Sequence, residues 1–81
     1  MKIVWDEPKR SANLGKHGID FADITFEFFE NAFIGRAKNG RWFALGRLGR
    51  AIVVIFVVLG SEGISIISAR PANRKERKAI E

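Results

Sequence analysis

The sequence predicts a small α+β domain with a short N-terminal strand, two helices, an antiparallel β-meander and a C-terminal helix. Three observations favour this class. Helix start and stop residues occur near both ends of the chain. The dipeptide Asn39-Gly40, between two alternating segments, is the strongest short hairpin signal that a sequence offers. The β-branched run AIVVIFVVL at 51–59 is typical of a central strand buried on both faces. At 81 residues the chain is expected to form one domain, spanning residues 1–81.

The N-terminal part of the chain predicts one strand and two helices. Lys2–Trp5 is apolar enough for a short strand. A first helix is expected over Pro8–His17, with Asp6 as its N-cap and Gly18 at its end, because glycine best tolerates the left-handed C-cap conformation. A second helix follows at once, capped by Asp20. Its apolar stripe comprises Phe21, Ile24 and Phe28.

The rest of the chain predicts a meander followed by a basic helix. Strands at 33–38 and 41–47 flank the Asn39-Gly40 turn, and the tight connections 47–50 and 60–63 lead into and out of the central strand. The last strand begins at Gly63, passes through Arg70 and ends at Pro71. A helix capped by Asn73 follows it.

This connectivity predicts where three arginines gather. In a meander, the third strand ends, the fourth begins and the fifth ends at the same end of the sheet. Arg47, Arg50 and Arg70 occupy those positions, and the basic helix starts beside them. If the chain binds a polyanion, this end of the sheet is where we expect the binding to occur.

Composition excludes several classes of protein. The chain has no cysteine, which excludes disulfides and thiolate zinc sites and suits a reducing cytoplasm. Its longest apolar run is less than half of the roughly 20 residues that a membrane-spanning helix needs, and the N-terminus carries no apolar signal region. Paired zinc ligands, a phosphate-binding loop and a supported Ser-His-Asp set are all missing, so no metal or cofactor is expected.

The net charge of +5 is unevenly distributed. Residues 19–31 carry four acids and no base, whereas residues 36–50 carry five bases and no acid. This asymmetry indicates a surface that binds phosphate, although bases that merely keep an apolar domain soluble would explain it equally well.

Three segments together resemble a known family. WDEPKRSANLGKHGIDF near the start, Gly46-Arg47 in the middle and IISARPANRKERK at the end are similar to the BrnT family, the toxins of type II BrnT/BrnA toxin–antitoxin modules. The matching positions are Trp5, Asp6, Glu7, Lys9, Asn13, Lys16, His17, Gly18, Gly46, Arg47, Ser68, Ala69, Arg70, Arg74, Glu76 and Arg77.

The resemblance carries specific implications. It implies an α+β ribonuclease fold similar to that of RelE-type toxins, in a cytoplasmic protein that cleaves RNA without a metal and so inhibits translation. It also implies a BrnA-like antitoxin partner with a ribbon-helix-helix DNA-binding domain. A homodimer and a toxin–antitoxin heterotetramer are both left open.

His17 is the candidate for proton transfer. It is the chain's one histidine, the residue type that most often serves as general acid or base near neutral pH. It could assist attack of an RNA 2′-hydroxyl on the adjacent phosphorus, with Lys16 in support. The alternatives are that His17 only caps the last carbonyls of its helix and that Lys16 is an ordinary exposed lysine.

Arg47 and Arg70 are the candidate phosphate clamps, because guanidinium groups bind phosphate bidentately and can neutralise the charge that develops at phosphorus. Arg70 has few acids near it in the sequence, although an ion pair with Asp6 or Glu7 is the alternative. The bases expected to contact the RNA backbone are Arg50, Arg74, Arg77 and Lys78. The helical bases among them could equally engage the antitoxin or simply face solvent.

Two other functions remain open. The chain could be an RNA-binding module that no longer cleaves, since apolar Phe56 stands where many relatives have a polar residue. It could also act mainly by holding a partner, through more aromatic surface than so small a core can bury. The aromatic residues concerned are Phe28, Phe29, Phe33 and Trp42.

Overall fold

Five strands form one sheet in the computed structural model, which describes all 81 residues. They are β1 (Lys2–Trp5), β2 (Phe33–Arg36), β3 (Trp42–Leu48), β4 (Arg50–Leu59) and β5 (Gly63–Pro71). Their order across the sheet is β1-β5-β4-β3-β2. Strands β2 to β5 pair antiparallel as a meander, and β1 joins β5 in parallel at one edge. The predicted α+β class is confirmed.

Three α-helices accompany the sheet: α1 (Glu7–His17), α2 (Phe26–Glu30) and α3 (Arg74–Ala79). The bounds of α1 agree with the prediction to within one residue, and Gly18 ends it in the left-handed conformation at φ 70°, with its N–H bonded to the Leu14 carbonyl. Asp6 occupies the N-cap position of α1, but its side chain makes no capping hydrogen bond. None of the helices combines the length and the apolar character needed to span a bilayer.

The predicted second helix is broken in two, so its prediction as one helix is wrong. A single 3-10 turn covers Phe21–Asp23, and Asp20 caps it by accepting a hydrogen bond from the Ala22 N–H at 2.9 Å. Ile24 and Thr25 are then extended, with ψ of 107° and 173°, before α2 begins. Adjacent β-branched residues disfavour helix, which is the physical reason for the break. The apolar stripe itself is buried as expected.

The Asn39-Gly40 turn adopts the predicted conformation. Both residues have positive φ, 61° and 72°, as a type I′ turn requires, and the Arg41 N–H donates to the Lys38 carbonyl at 3.2 Å. The register differs from that of a two-residue hairpin, which would pair Lys38 with Arg41. The last ladder pair is Arg36 with Trp42, and the Ala37 N–H donates to the Arg41 carbonyl at 2.9 Å, so Arg41 lies opposite Ala37 and the predicted pairing is wrong.

The core consists of two clusters on opposite faces of the sheet. The larger one, on the face of α1 and α2, includes Phe21, Ile24, Phe28, Ala44, Ile52, Val54, Phe56, Ile66 and Ala69. The smaller one, on the face of α3, comprises Leu45, Ala51, Val53 and Ala72. Because β4 contributes alternate residues to both clusters, the prediction of a central strand buried on both faces is confirmed. Its last two residues, Val58 and Leu59, are nevertheless exposed.

A buried asparagine connects α1 to the exposed edge of β5. Strand β1 stops at the pair of Trp5 with Ile66, so the outer edge of β5 has no strand partner beyond that point. There the Ala69 N–H donates to Asn13 Oδ1 at 3.0 Å, while Asn13 Nδ2 donates to the Ile19 carbonyl at 3.1 Å. Asn13 therefore replaces the missing strand partner and fixes α1 against β5.

Candidate functional site

A groove of about 290 Å³ lies between α1 and β5. The residues lining this α1 groove are Lys9, Ala12, Asn13, Lys16, His17, Ile67 and Ser68. Lys9, Asn13 and Lys16 are spaced by four and three residues, so they share one face of the helix. The lining carries two lysines and the chain's one histidine but no carboxylate, which makes the groove suited to an anion.

His17 lies in the last turn of α1, half-buried, where the C-terminal carbonyls of the helix need partners. Two of these carbonyls have partners other than the imidazole. The Gly18 N–H donates to the Leu14 carbonyl, and Arg50 Nη2 donates to the His17 carbonyl at 2.7 Å. Because capping is done by Gly18 and Arg50, the imidazole of His17 is available to a ligand in the α1 groove.

The three arginines do lie at one end of the sheet, as the connectivity predicts. In the register Leu48 pairs with Arg50, Arg47 with Ala51, and Arg70 with Val53. Only Arg50 contacts His17, however. Arg47 lines a separate groove of about 280 Å³ with residues around α2, namely Thr25, Glu27, Phe28, Asn31, Leu48 and Gly49.

Arg70 is held by a carboxylate that the sequence interpretation overlooked. Its Nη1 and Nη2 donate to Glu76 Oε1 and Oε2 at 2.8 and 2.9 Å, and Nη1 also donates to the Pro71 carbonyl at 3.2 Å. These bonds raise the pKa of Arg70 and lower the pKa of the Glu76 carboxyl to about 2. Arg70 is therefore paired rather than free, and its partner is Glu76, not Asp6 or Glu7 as the alternative proposed.

The side chain of Arg70 lies on the face of the sheet opposite to α1. It pairs with Val53, which faces the cluster under α3. The structure thus brings Lys16, His17 and Arg50 together, while Arg47 and Arg70 line no groove in common with His17. On α3, Arg77 Nη1 donates to the Ala72 carbonyl at 2.9 Å, and Arg74 and Lys78 are exposed.

A second network of charges braces α1 at its other end. Arg10 donates to Asp20 at 2.7 and 3.0 Å and to Glu7 at 3.2 Å, and Glu7 also accepts from Trp5 Nε1 at 2.8 Å. The Arg10 hydrogen bonds lower the pKa of Asp20 to about 2. Sequence reasoning missed this network, although the Glu7 and Arg10 spacing is the usual signal for a helical ion pair. Trp5, partly buried, packs against the larger core cluster.

Stability is expected to fall as the pH drops from about 4.5 to about 2. Asp20 and Glu76 have usual pKa values of 3.8 and 4.5 that the fold lowers to about 2, so their stabilisation is complete above the usual values and is lost as they bind protons. Urea unfolding midpoints measured across this range would show the decline. Glu76→Gln should make the decline shallower, whereas the exposed Glu62→Gln should not. Identical slopes for the two variants would contradict the assignment.

Comparisons with known proteins identify the family. The family model described as "Ribonuclease toxin, BrnT, of type II toxin-antitoxin system" matches residues 5–76. The crystal structure of the Brucella abortus ribonuclease toxin BrnT is 50% identical to this chain, with a TM-score of 0.86, and the match covers 91% of this chain and 99% of that one. No curated protein matches significantly. The chain belongs to the BrnT family of ribonuclease toxins of type II toxin–antitoxin systems.

Proposed function

We propose that this chain is a toxin that inhibits translation by cleaving RNA without a metal ion. The observation that carries the proposal is the α1 groove, where Lys9, Lys16 and His17 meet with no carboxylate among the lining residues. Such a groove attracts a phosphodiester and offers one imidazole for proton transfer. Membership in a family of ribonuclease toxins supports RNA as the proposed substrate class.

The proposed reaction is attack of a ribose 2′-hydroxyl on the adjacent phosphorus. The P–O5′ bond breaks as the 2′-O–P bond forms. Either His17 takes the proton of the 2′-hydroxyl and water protonates the departing 5′-oxygen, or His17 protonates that oxygen and water takes the 2′-hydroxyl proton. The products are a 2′,3′-cyclic phosphate and a free 5′-hydroxyl. Lys16 stabilises the negative charge on the phosphoryl oxygens. Lys9 lies seven residues earlier on α1, about 10 Å along the helix, and is suited to a neighbouring phosphate.

The arginines have graded roles in this proposal. Arg50 holds His17 through its carbonyl and directs its other N–H groups to a flanking phosphate. Arg47, at the same end of the sheet, binds the RNA further along its backbone. Arg70 lies on the other face of the sheet from the α1 groove, so its proposed contact is with a flanking phosphate, and only after Glu76 has released it, because both of its terminal nitrogens are engaged. The α3 bases Arg74, Arg77 and Lys78 add electrostatic attraction for RNA.

A cognate antitoxin is implied by the type II family. We propose that it is a BrnA-like protein with a ribbon-helix-helix DNA-binding domain, that it neutralises this chain in the cytoplasm, and that the complex is a heterotetramer unless the toxin itself dimerises. Light scattering of the toxin alone and with its antitoxin distinguishes these assemblies.

The test of the proposed function is incubation of the purified protein with RNA in EDTA. Cleavage is expected to persist and to leave 2′,3′-cyclic phosphate ends. Cleavage that stops in EDTA and returns with magnesium would contradict the proposal. RNA that is bound in a salt-dependent way but stays intact would instead favour the non-cleaving module. Phe56, which motivated that alternative, is buried in the core against Phe29 and lines none of the grooves.

A further inference from the structure

A third groove, of different character, lies on the other face of the sheet from the larger core cluster. Its volume is about 290 Å³, and five of its seven lining residues are hydrophobic. This apolar groove is formed by Phe33, Phe43, Leu45 and Val53 of the sheet and by Lys75, Glu76 and Ala79 of α3. The six-residue helix α3 contributes no buried residue, so it forms one wall of the groove and leaves the groove open.

The apolar groove continues to an unpaired sheet edge. Phe33 is 63% exposed and stacks on Phe43 at a centroid distance of 6.2 Å. It belongs to β2, which pairs only with β3 and leaves its outer backbone groups free. The next residue of β2, Ile34, is exposed on the opposite face. An apolar groove that adjoins a free strand edge is the kind of surface that a protein segment covers.

The charge around the apolar groove is positive. Lys75 lines it, and Arg41 is an exposed base immediately before β3, the strand that contributes Phe43 and Leu45 to the lining. The one acid in the lining, Glu76, is already neutralised by Arg70 and by the Asn73 N–H. A complementary occupant therefore carries both apolar side chains and carboxylates.

These features separate the candidate occupants. A second copy of this chain would bring its own net charge of +5 and the same bases to the contact, which is unfavourable. An RNA backbone would match the bases but would leave the apolar lining without apolar partners. An acidic amphipathic protein segment satisfies both requirements.

We propose that the apolar groove and the β2 edge bind an acidic amphipathic segment of the antitoxin. This inference rests on the proposed function, since it locates the surface at which the toxin is held by its partner. Apolar side chains of the segment fill the space between Phe33 and Ala79, and its carboxylates face Lys75 and Arg41. The contact lies on the opposite face of the sheet from α1, so it leaves the α1 groove uncovered.

The test uses Phe33→Ser and Lys75→Glu in the full-length protein. Both side chains are exposed, so the fold should tolerate the changes. The matched controls are Val58→Ser, another exposed apolar residue at 51% exposure, and Lys2→Glu, another exposed lysine.

The probe is the product of the reading frame adjacent to the toxin gene. Calorimetry is expected to show binding about tenfold or more weaker for each groove variant and unchanged for the controls. RNA cleavage without the probe should be unchanged in all four.

The possible outcomes are distinguishable. Groove variants that bind the probe as tightly as the wild type, or a wild type that does not bind it, would overturn the proposal. If the groove variants lose RNA binding but still bind the probe as tightly as the wild type, the groove is an RNA-binding surface instead. A wild type without ribonuclease activity would refute the proposed function while leaving the comparison of affinities intact.

Discussion

His17→Ala is expected to lower the rate of RNA cleavage by about a hundredfold or more without unfolding the protein. Removal of a general acid or base costs about two to four orders of magnitude. The helix end should survive, because its carbonyls are capped by Gly18 and Arg50 and not by the imidazole. Single-turnover cleavage of a labelled RNA measures the rate, and thermal unfolding checks the fold.

Free imidazole provides the control that separates chemistry from structure. Added to His17→Ala, it should restore part of the activity, because it can enter the α1 groove and carry the proton. Lys38→Ala, at the exposed tip of the β2–β3 hairpin, should retain wild-type activity. If His17→Ala cleaves RNA at the wild-type rate, His17 has no role in the reaction and the proposed mechanism fails.

Asn13→Ala is expected to reduce the free energy of unfolding by about 2 to 4 kcal/mol. The substitution leaves the Ala69 N–H and the Ile19 carbonyl without partners at a site where Asn13 itself is only 8% exposed. Each buried polar group left unpaired costs about 1 to 3 kcal/mol. The loss should also release α1 from the edge of β5 and thereby distort the α1 groove.

The matched control is Asn31→Ala. Asn31 Nδ2 also donates to a carbonyl, that of Glu27 at 2.9 Å, but at an exposed position where water can replace it. We expect less than about 1 kcal/mol for this change, measured in the same urea titration. Equal losses for the two variants would mean that burial of the Asn13 hydrogen bonds contributes nothing.

The elements that sequence reasoning predicted correctly depend on local backbone chemistry. Gly18 and the Asn39-Gly40 turn need positive φ, and Asn73 caps a helix through neighbours three residues away, so short-range signals were sufficient. The central strand was also predicted correctly, because a short β-branched run without polar residues is typical of a strand buried on both faces.

The second helix shows where periodicity alone fails. Phe21, Ile24 and Phe28 are 0%, 3% and 5% exposed, so the predicted stripe is buried. A 3-10 turn followed by a short helix delivers the same three side chains to the core as one continuous helix would. The spacing of apolar residues therefore predicted burial correctly and the backbone wrongly.

At the candidate site, connectivity predicted positions but not partners. The strand order was enough to bring Arg47, Arg50 and Arg70 to one end of the sheet. The side-chain directions depend on contacts that are distant in sequence, such as Arg50 with His17 across 33 positions and Asn13 with Ala69 across 56. The Arg70 pairing with Glu76 depends on the turn between β5 and α3, which the sequence did not reveal, although the Asn73 cap that also holds Glu76 was predicted.

The Glu76 carboxylate has two structural roles, because it caps α3 and also binds Arg70. Its Oε1 accepts from both the Asn73 N–H and Arg70 Nη1, so the first turn of α3 and the orientation of Arg70 share one carboxylate. A phosphate that captures Arg70 must displace Glu76 and thereby loosen α3. Conversely, a protein segment clamped against Ala79 and Lys75 would keep α3 in place and Arg70 masked. In that arrangement the proposed antitoxin segment would inhibit the toxin through Arg70 and α3 while the α1 groove stays uncovered.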